Sequence, residues 1–295
     1  MKNINIFCFF IFLLFFGCVS DSDRTSEKIG EEFIETKEQQ EDIQKKVATL
    51  VFYDMFSPVE MSSLFFKSGI DYNFKIINPT ENADNYLRSS KIATNLGVYG
   101  VDLFYNRMFN QTQQSLQYLA CIQQLSEKLD IPRDFFSFTE EQIEQKINDK
   151  DSLYIIAGEA YDSANDFLKK NNRGGAASLI VLGGWIESLY IVTNASNEFS
   201  VELMELIATQ KYSLNSLINL LRNNQDDLTV AKYLILLKKL NKTFSQFEIM
   251  YKHGDVNIDT IQKRIVINKQ HVEVTREQII KIKSIVNAIR ADIVG

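Results

Sequence analysis

Apolar residues recur every three to four positions along most of the chain, which is the period of an α-helix. This pattern predicts helices over residues 31–54, 57–68, 80–108, 111–130, 139–171, 174–195, 197–211, 213–224, 228–251 and 275–293. The stretch 150–171 is the clearest case, with an apolar stripe that includes Ala164, Phe167 and Leu168. The pattern favours a mainly α fold, a multi-helix bundle or array.

Capping residues mark several of the predicted helix starts. Ser57-Pro58 and Asn78-Pro79 each place an N-cap residue before a proline, which is favoured at the first helical position. Thr139 and Thr275 are each followed three residues later by glutamine, the spacing of a capping box. We therefore expect helices to begin at these four places.

The hydrophobic period changes near the C-terminal end. Residues 263–267 and 271–274 are rich in β-branched side chains and flank the polar turn 268–270. They predict one β-hairpin over about 263–274, followed by a closing helix over 275–293. The inner face of that helix would carry Ile279, Ile282, either Ile285 or Val286, and Ile289.

The first residues have the pattern of an export signal. A short basic start is followed by the apolar run 6–16, which is too short to span a membrane but fits a signal peptide. The Gly17-Cys18 junction resembles the lipobox of bacterial lipoproteins, although Phe15 and Phe16 depart from its usual residues. We expect a signal peptide over 1–17 and a diacylglycerol and acyl modification, such as palmitate, on Cys18. An ordinary secretory signal and an uncleaved anchor are the alternatives.

A lipid anchor on Cys18 has consequences for location. Two or three acyl chains hold a protein stably on a membrane, so the body would need no membrane-spanning helix. Residues 18–30 form a polar tether, and 31–295 a single α-helical domain. Because no aspartate directly follows Cys18, we favour the outer membrane. The acidic run 20–23 is either an export tether to the cell surface or a solvated linker.

Composition excludes several classes of protein. The chain has 295 residues, of which 45% are hydrophobic and 24% charged, and its formal net charge is −6. These proportions argue against disorder, and the lack of a dense basic run argues against nucleic-acid binding. The three cysteines are Cys8, Cys18 and Cys121, so the body contains one thiol and no internal disulfide. Cys121 lies in an apolar stretch and is expected to be a buried hydrophobe.

Sequence motifs for catalysis or metal binding are missing. The two histidines, His253 and His271, have no neighbour at zinc-ligand spacing. There is no phosphate-binding glycine loop, dinucleotide-binding glycine motif or nucleophile elbow. No cofactor and no metal site are therefore predicted, and any partner would be a protein or small molecule of unknown identity.

The segment 176–192 is apolar around its whole helical circumference, which predicts a central buried helix. A membrane span is the alternative, against which its length and the presence of Glu187 argue. Glycine at 183 and 184 lowers helix propensity by about 1 kcal/mol per residue. We expect another helix to approach closely at Gly183 and Gly184.

A second segment has a similar pattern. Residues 96–104 and 182–190 share Leu-Gly, then an aromatic residue, then a Leu-aromatic pair, without a gap. The match is either an internal duplication of a helical unit or a coincidence between leucine-rich helices.

Each of these two segments carries one acid, Asp102 or Glu187, among apolar neighbours. Buried acids are unfavourable unless they are paired or protonated. One hypothesis is an internal pocket that both acids line with Tyr99, Tyr105 and Trp185. The other is that each acid is satisfied structurally by a tyrosine hydroxyl, a basic side chain or a helix N-terminus. Paired acids also suit general acid/base catalysis.

The residues 95–103, 110–113 and 183–187, together with Pro58 and the tether, carry a family resemblance. The chain resembles a group of uncharacterised Bacteroidetes lipoproteins with Leu-Gly-x-Tyr-Gly-x-Asp and Gly-Gly-Trp-x-Glu helices, over most of residues 50–295. The resemblance implies secretion, a lipid anchor and an α-helical body. It assigns no activity to the protein. We therefore expect a non-enzymatic envelope lipoprotein that binds a partner or ligand. An accessory subunit of an envelope assembly and an enzyme using Asp102 and Glu187 are the alternatives.

Overall fold

The computed structural model describes residues 71–135, 163–195, 198–250, 256–259, 264–267 and 271–295. Several predictions fall outside these residues: the signal peptide 1–17, Cys18, the tether 18–30, the helices 31–54 and 57–68, the caps at Ser57-Pro58 and Thr139, His253 and the turn 268–270.

The described residues are mainly α-helical, which confirms the predicted fold class. The helices are α1 (Ser89–Met108), α2 (Thr112–Lys128), α3 (Gly174–Asn194), α4 (Val201–Thr209), α5 (Lys211–Arg222), α6 (Leu228–Phe244) and α7 (Arg276–Val294). Residues 163–170 are also helical. Short 3-10 helices cover Phe74–Ile76, Thr80–Asn85 and Arg133–Phe135.

Helix α3 is the centre of the described body. Every residue from Ala177 to Leu189 is buried, as the apolar circumference of this segment predicts. Among the described residues, α3 is also the one helix long and apolar enough to cross a membrane, and 83% of its most apolar window is buried in the protein. This burial agrees with the prediction of a central core helix.

Helices α1 and α3 touch through their glycines. A Cβ at Gly183 would overlap the carbonyl oxygen of Thr94, and a Cβ at Gly97 would overlap that of Ile180. The close approach predicted at Gly183 is therefore confirmed. The contact is reciprocal, because Thr94 and Ile180 each lie three residues before the glycine of their own helix. The two segments with matching patterns thus pack on one another.

The N-terminal part of the described chain differs from the prediction of one helix over 80–108. The 3-10 helix Thr80–Asn85 ends before α1 begins at Ser89, and Pro79, not Asn78, occupies its N-cap position without a capping side chain. The expected Asn78 cap is therefore wrong. Its side chain points into the core instead, where it donates hydrogen bonds to Tyr86 and Asn95.

Helix α7 packs on α3 and begins with the predicted capping box of Thr275 and Gln278. Its buried residues are Ile279, Ile282, Val286, Ile289 and Ile293, so Val286 rather than Ile285 completes the inner face. Side chains from the N-terminal part of the described chain donate hydrogen bonds to carbonyl groups in the last turn of α7. Lys91 and Asn95 donate to the carbonyl of Ile293, and Tyr86 donates to that of Val294.

The described residues between α6 and α7 include four short strands: β1 (Glu248–Met250), β2 (Val256–Asp259), β3 (Arg264–Ile267) and β4 (His271–Glu273). The predicted strands of the 263–274 hairpin exist as β3 and β4, but their expected pairing is wrong. Strand β3 pairs antiparallel with β2, and β4 pairs with β1. Helix α6 ends at Phe244 rather than 251, which frees 248–250 to form β1. Each predicted strand thus finds its partner earlier in the chain.

Candidate functional site

The two buried acids meet at the contact between α1 and α3. Asp102 and Glu187 lie little more than one turn beyond the glycine crossing, and both are completely buried. An interaction between the two carboxyl groups is among the causes that shift the pKa of each acid. The structure therefore places both acids in one cluster.

Glu187 forms a two-pronged ion pair with Arg290 of α7. The Nε atom donates to Oε2 at 2.9 Å, and Nη2 donates to Oε1 at 3.0 Å. The guanidinium also lies over the ring of Tyr190, 4.2 Å from its centroid. Burial raises the pKa of Glu187, and Arg290 opposes this effect. Glu187 is therefore the carboxyl that carries the negative charge.

Within the described residues, Asp102 accepts fewer hydrogen bonds than Glu187. Its Oδ2 accepts the backbone N–H of Asn78 at 3.0 Å. Its Oδ1 receives no hydrogen bond from any donor in the described parts of the chain. Burial, and then the charge of Glu187, raise the pKa of Asp102 well above its usual range, although Arg290 opposes the rise. Of the two acids, Asp102 is therefore the one whose surroundings disfavour ionisation more.

Asn78 is the centre of a polar network beside Asp102. Its backbone N–H donates to Asp102, and its carbonyl accepts from the hydroxyl of Tyr118 at 2.7 Å. Its side-chain amide donates to Tyr86 and Asn95. The side-chain oxygen accepts from Asn82 at 2.8 Å. Every polar group of this fully buried residue thus has a partner, as buried polar groups require.

Residues 72–79 form a strap that runs across α1 and α7. The hydroxyl of Tyr72 donates to Asn106, and the N–H of Asn73 donates to the hydroxyl of Tyr105. At the other end, Tyr99 donates to the carbonyl of Pro79 at 2.8 Å. The carbonyl of Ile76, in the middle of the strap, accepts from Arg290. Polar contacts therefore hold the strap along its length.

Three further residues were predicted to line a pocket with the acids. Tyr99 and Tyr105 lie near Asp102, but their hydroxyls bond to the strap and not to the carboxyl. Trp185 points to the opposite side of α3, where its Nε1 donates to Ser213 of α5 at 3.0 Å. Two residues along a helix differ by about 200° in direction, so Trp185 and Glu187 cannot face the same site.

Arg290 and Asn78 complete the cluster and were missed by the sequence analysis. Arg290 had a detectable signal, since it occupies a position four residues after Val286 and three before Ile293, in line with the apolar stripe of α7. Asn78 had no such signal, because an asparagine directly before a proline, as in Asn78-Pro79, indicates a helix start. Its role depends on residues brought close only by folding.

A cleft of about 380 Å³ lies elsewhere on the surface, where α1, α3 and α6 begin. It is lined by Ser89, Ser90, Asn172, Arg173, Gly174, Gly175, Ala176, Leu179, Asn223, Asn224, Asp226 and Asp227. Asp227 caps α6 through the N–H groups of Thr229 and Val230. The carboxylate of Asp227 thus already supplies negative charge to one of the three helix N-termini.

Comparison of the chain with protein-family models, with curated proteins and with solved structures finds no match. In the described residues there is also no group of three or more histidine, cysteine or acidic side chains that is arranged to hold a metal ion.

Proposed function

We propose that this protein is a lipid-anchored component of a bacterial cell envelope that acts by binding a partner, and that it resides at the outer membrane. The observation that carries the proposal is the N-terminal pattern, an apolar run that ends in Gly17-Cys18. The resemblance to uncharacterised Bacteroidetes lipoproteins supports the same conclusion. The acyl chains on Cys18 would hold the helical body at the membrane surface.

The geometry of the acids favours a structural role over catalysis. Asp102 and Glu187 are both fully buried, and Glu187 uses both oxygens to bind Arg290. A catalytic pair of carboxyl groups must reach its substrate, as in enzymes with two acids across a cleft. The cluster instead joins α1, α3, α7 and the strap, which is a structural role. The hypothesis of a ligand pocket around the two acids loses support for the same reason.

Exposed apolar side chains on α6 support a protein partner. Leu228 and Ile235 are 88% and 68% exposed, and they lie two turns apart on one face of the helix. Lys232 lies between them on this face and pairs with Asp292 at 2.7 Å. A partner that covers this face would bury two aliphatic side chains beside a fixed charge pair. An accessory role in an envelope assembly is the second candidate, and the same exposed face favours it.

The anchor is tested by Cys18→Ser in the full-length protein in its native host. We expect the variant to lose incorporation of labelled palmitate and to leave the membrane fraction. Cys8→Ser is the matched control, since Cys8 lies inside the apolar run, and it should keep the label. Labelling of the Cys18→Ser variant, or loss of labelling in the control, would contradict the lipobox assignment.

The partner is tested by cross-linking in intact cells followed by mass spectrometry of the purified protein. We expect a specific cross-linked protein that is lost in the double variant Leu228→Ser and Ile235→Ser. Leu87→Ser is the control, because Leu87 is 83% exposed in the loop before α1 rather than on α6. An unchanged cross-linking pattern in the double variant would show that the α6 face is not the binding surface.

A further inference from the structure

The charges of the buried cluster do not balance without a proton. Two carboxyl groups, Asp102 and Glu187, have one neighbouring cation, Arg290, which binds Glu187, and both acids have no exposure to water. Two ionised carboxylates in contact repel each other, and an unpaired buried charge is strongly unfavourable. One of the two groups must therefore be neutral.

We infer that Asp102 holds one proton on Oδ1 and donates it to Glu187, and that this proton closes a polar ring that clamps the strap to the helices. Oδ1 is the oxygen of Asp102 that lies buried without a hydrogen-bond donor, so it is the atom available to carry a proton toward the neighbouring Glu187. Two carboxyl groups can bond only when one of them carries a proton.

The ring begins and ends on the strap. The N–H of Asn78 donates to Asp102, and Asp102 donates its proton to Glu187. Glu187 accepts from Arg290, and Arg290 donates to the carbonyl of Ile76. The links from Asn78 and Arg290 use hydrogens that are present at every physiological pH. The link between the two acids alone depends on a titrating proton.

Other titratable groups facing Asp102 do not replace this proton. In the described residues they are Tyr72, Tyr86, Tyr99, Tyr105, Tyr118 and Cys121. Burial raises the pKa of every one of them, so they stay neutral. Tyr190 faces the cluster only through the guanidinium of Arg290.

The direction of the pH dependence follows from the raised pKa of Asp102. Its contribution to folding is fully present below the pKa of an unfolded aspartate, about 3.9, and is lost as the pH rises through the folded value. When the proton leaves to solvent, two negative charges meet between α1 and α3. We therefore expect the clamp to loosen toward high pH.

Asp102→Asn tests the clamp, because an asparagine keeps an oxygen for Asn78 and a donor for Glu187. In the full mature protein, the folding equilibrium constant of Asp102→Asn relative to wild type should rise about tenfold per pH unit above pH 4, until Asp102 ionises. Asp226→Asn makes the same substitution at an exposed position and should show no such rise. A stability difference between wild type and Asp102→Asn that does not change with pH would overturn the inference.

Two measurements on the wild type remain decisive even if Asp102→Asn fails to fold. The ¹³C resonance of the Asp102 carboxyl should titrate well above its usual range, and titration near pH 3.9 would overturn the shared proton. Hydrogen exchange at the Asn78 amide should accelerate over the same pH interval by more than ordinary base catalysis. Exchange that follows base catalysis alone would show that the proton does not hold the strap.

Discussion

Helices α1 and α3 make two neighbouring contacts with opposite physical requirements. At the crossing, Gly97 and Gly183 bring the backbones together, and the contact depends on having no side chain there. Little more than a turn away, Asp102 and Glu187 meet, and that contact depends on polar groups from other elements, the backbone N–H of Asn78 and the side chain of Arg290. The first contact is complete within the two helices, whereas the second needs the strap and α7.

This difference determines how each contact fails. An added methyl group at the crossing has to push two helices apart, since it meets backbone that cannot rotate away. A lost partner in the acid cluster leaves a buried charge with nothing to balance it. Substitutions at the two contacts separate these two kinds of failure.

Arg290→Met should have the largest effect, because it removes the only cation that contacts Glu187 in the described structure. Breaking a buried ion pair from one side costs about 3–5 kcal/mol. Chemical denaturation should show this loss in the free energy of unfolding. A glutamine at position 187 carries no charge and needs no cation. Adding Glu187→Gln to Arg290→Met should therefore recover part of the lost free energy of unfolding. Failure of the double variant to recover stability would show that Arg290 acts mainly by packing.

Gly183→Ala should come next, at about 1–3 kcal/mol, the usual cost of overpacking. Its Cβ would meet the carbonyl of Thr94, which is backbone. Gly97→Ala should cost a similar amount because the contact is reciprocal. Thermal unfolding followed by circular dichroism measures both variants. A pair of very different values would show that one helix moves to accommodate the methyl group.

Tyr118→Phe should cost about 1 kcal/mol, since it removes the hydroxyl that donates to the carbonyl of Asn78. Both atoms are buried, so the carbonyl is left without this donor. The expected loss in unfolding free energy is smaller than for Arg290→Met because no charge is uncovered. A loss as large as that of Arg290→Met would mean that the network around Asn78 is as important as the ion pair.

Gly100→Ala should have the smallest effect and the opposite sign. A Cβ at Gly100 meets nothing within 4 Å, although this glycine lies in the same helix as Gly97. Alanine stabilises an exposed helical position by about 1 kcal/mol relative to glycine. A slight rise in melting temperature is therefore expected, and a fall would indicate that Gly100 is covered by another part of the chain.

The sequence predicted the glycine crossing better than the acid cluster. Gly183 in an all-apolar segment already indicates a close helix contact, because glycine weakens a helix and needs a packing reason. Asp102 and Glu187 were recognised as buried acids, yet their true partners were missed. Arg290 is 103 residues from Glu187, and Asn78 is 24 residues from Asp102. The expected tyrosine partners bond to the strap instead.

The β-strands also show that sequence predicts an element better than it predicts the partner of that element. The β-branched residues of β3 and β4 predicted two strands near the right positions, since strand propensity is a local property. Their pairing with each other was wrong, because β4 pairs with β1 and β3 pairs with β2. In the same way, the sequence around Asn78 predicts a helix cap, whereas in the folded protein its side chain donates hydrogen bonds to Tyr86 and Asn95.

The sequence by itself therefore determined the helical class, the burial of α3 and the close contact at Gly183. These properties follow from hydrophobic period and residue size, which can be measured within one segment. Only the tertiary structure decided which groups satisfy Asp102 and Glu187, and which strands pair. A buried charge or a strand edge accepts any suitable partner that folding brings near, and that choice depends on the whole chain.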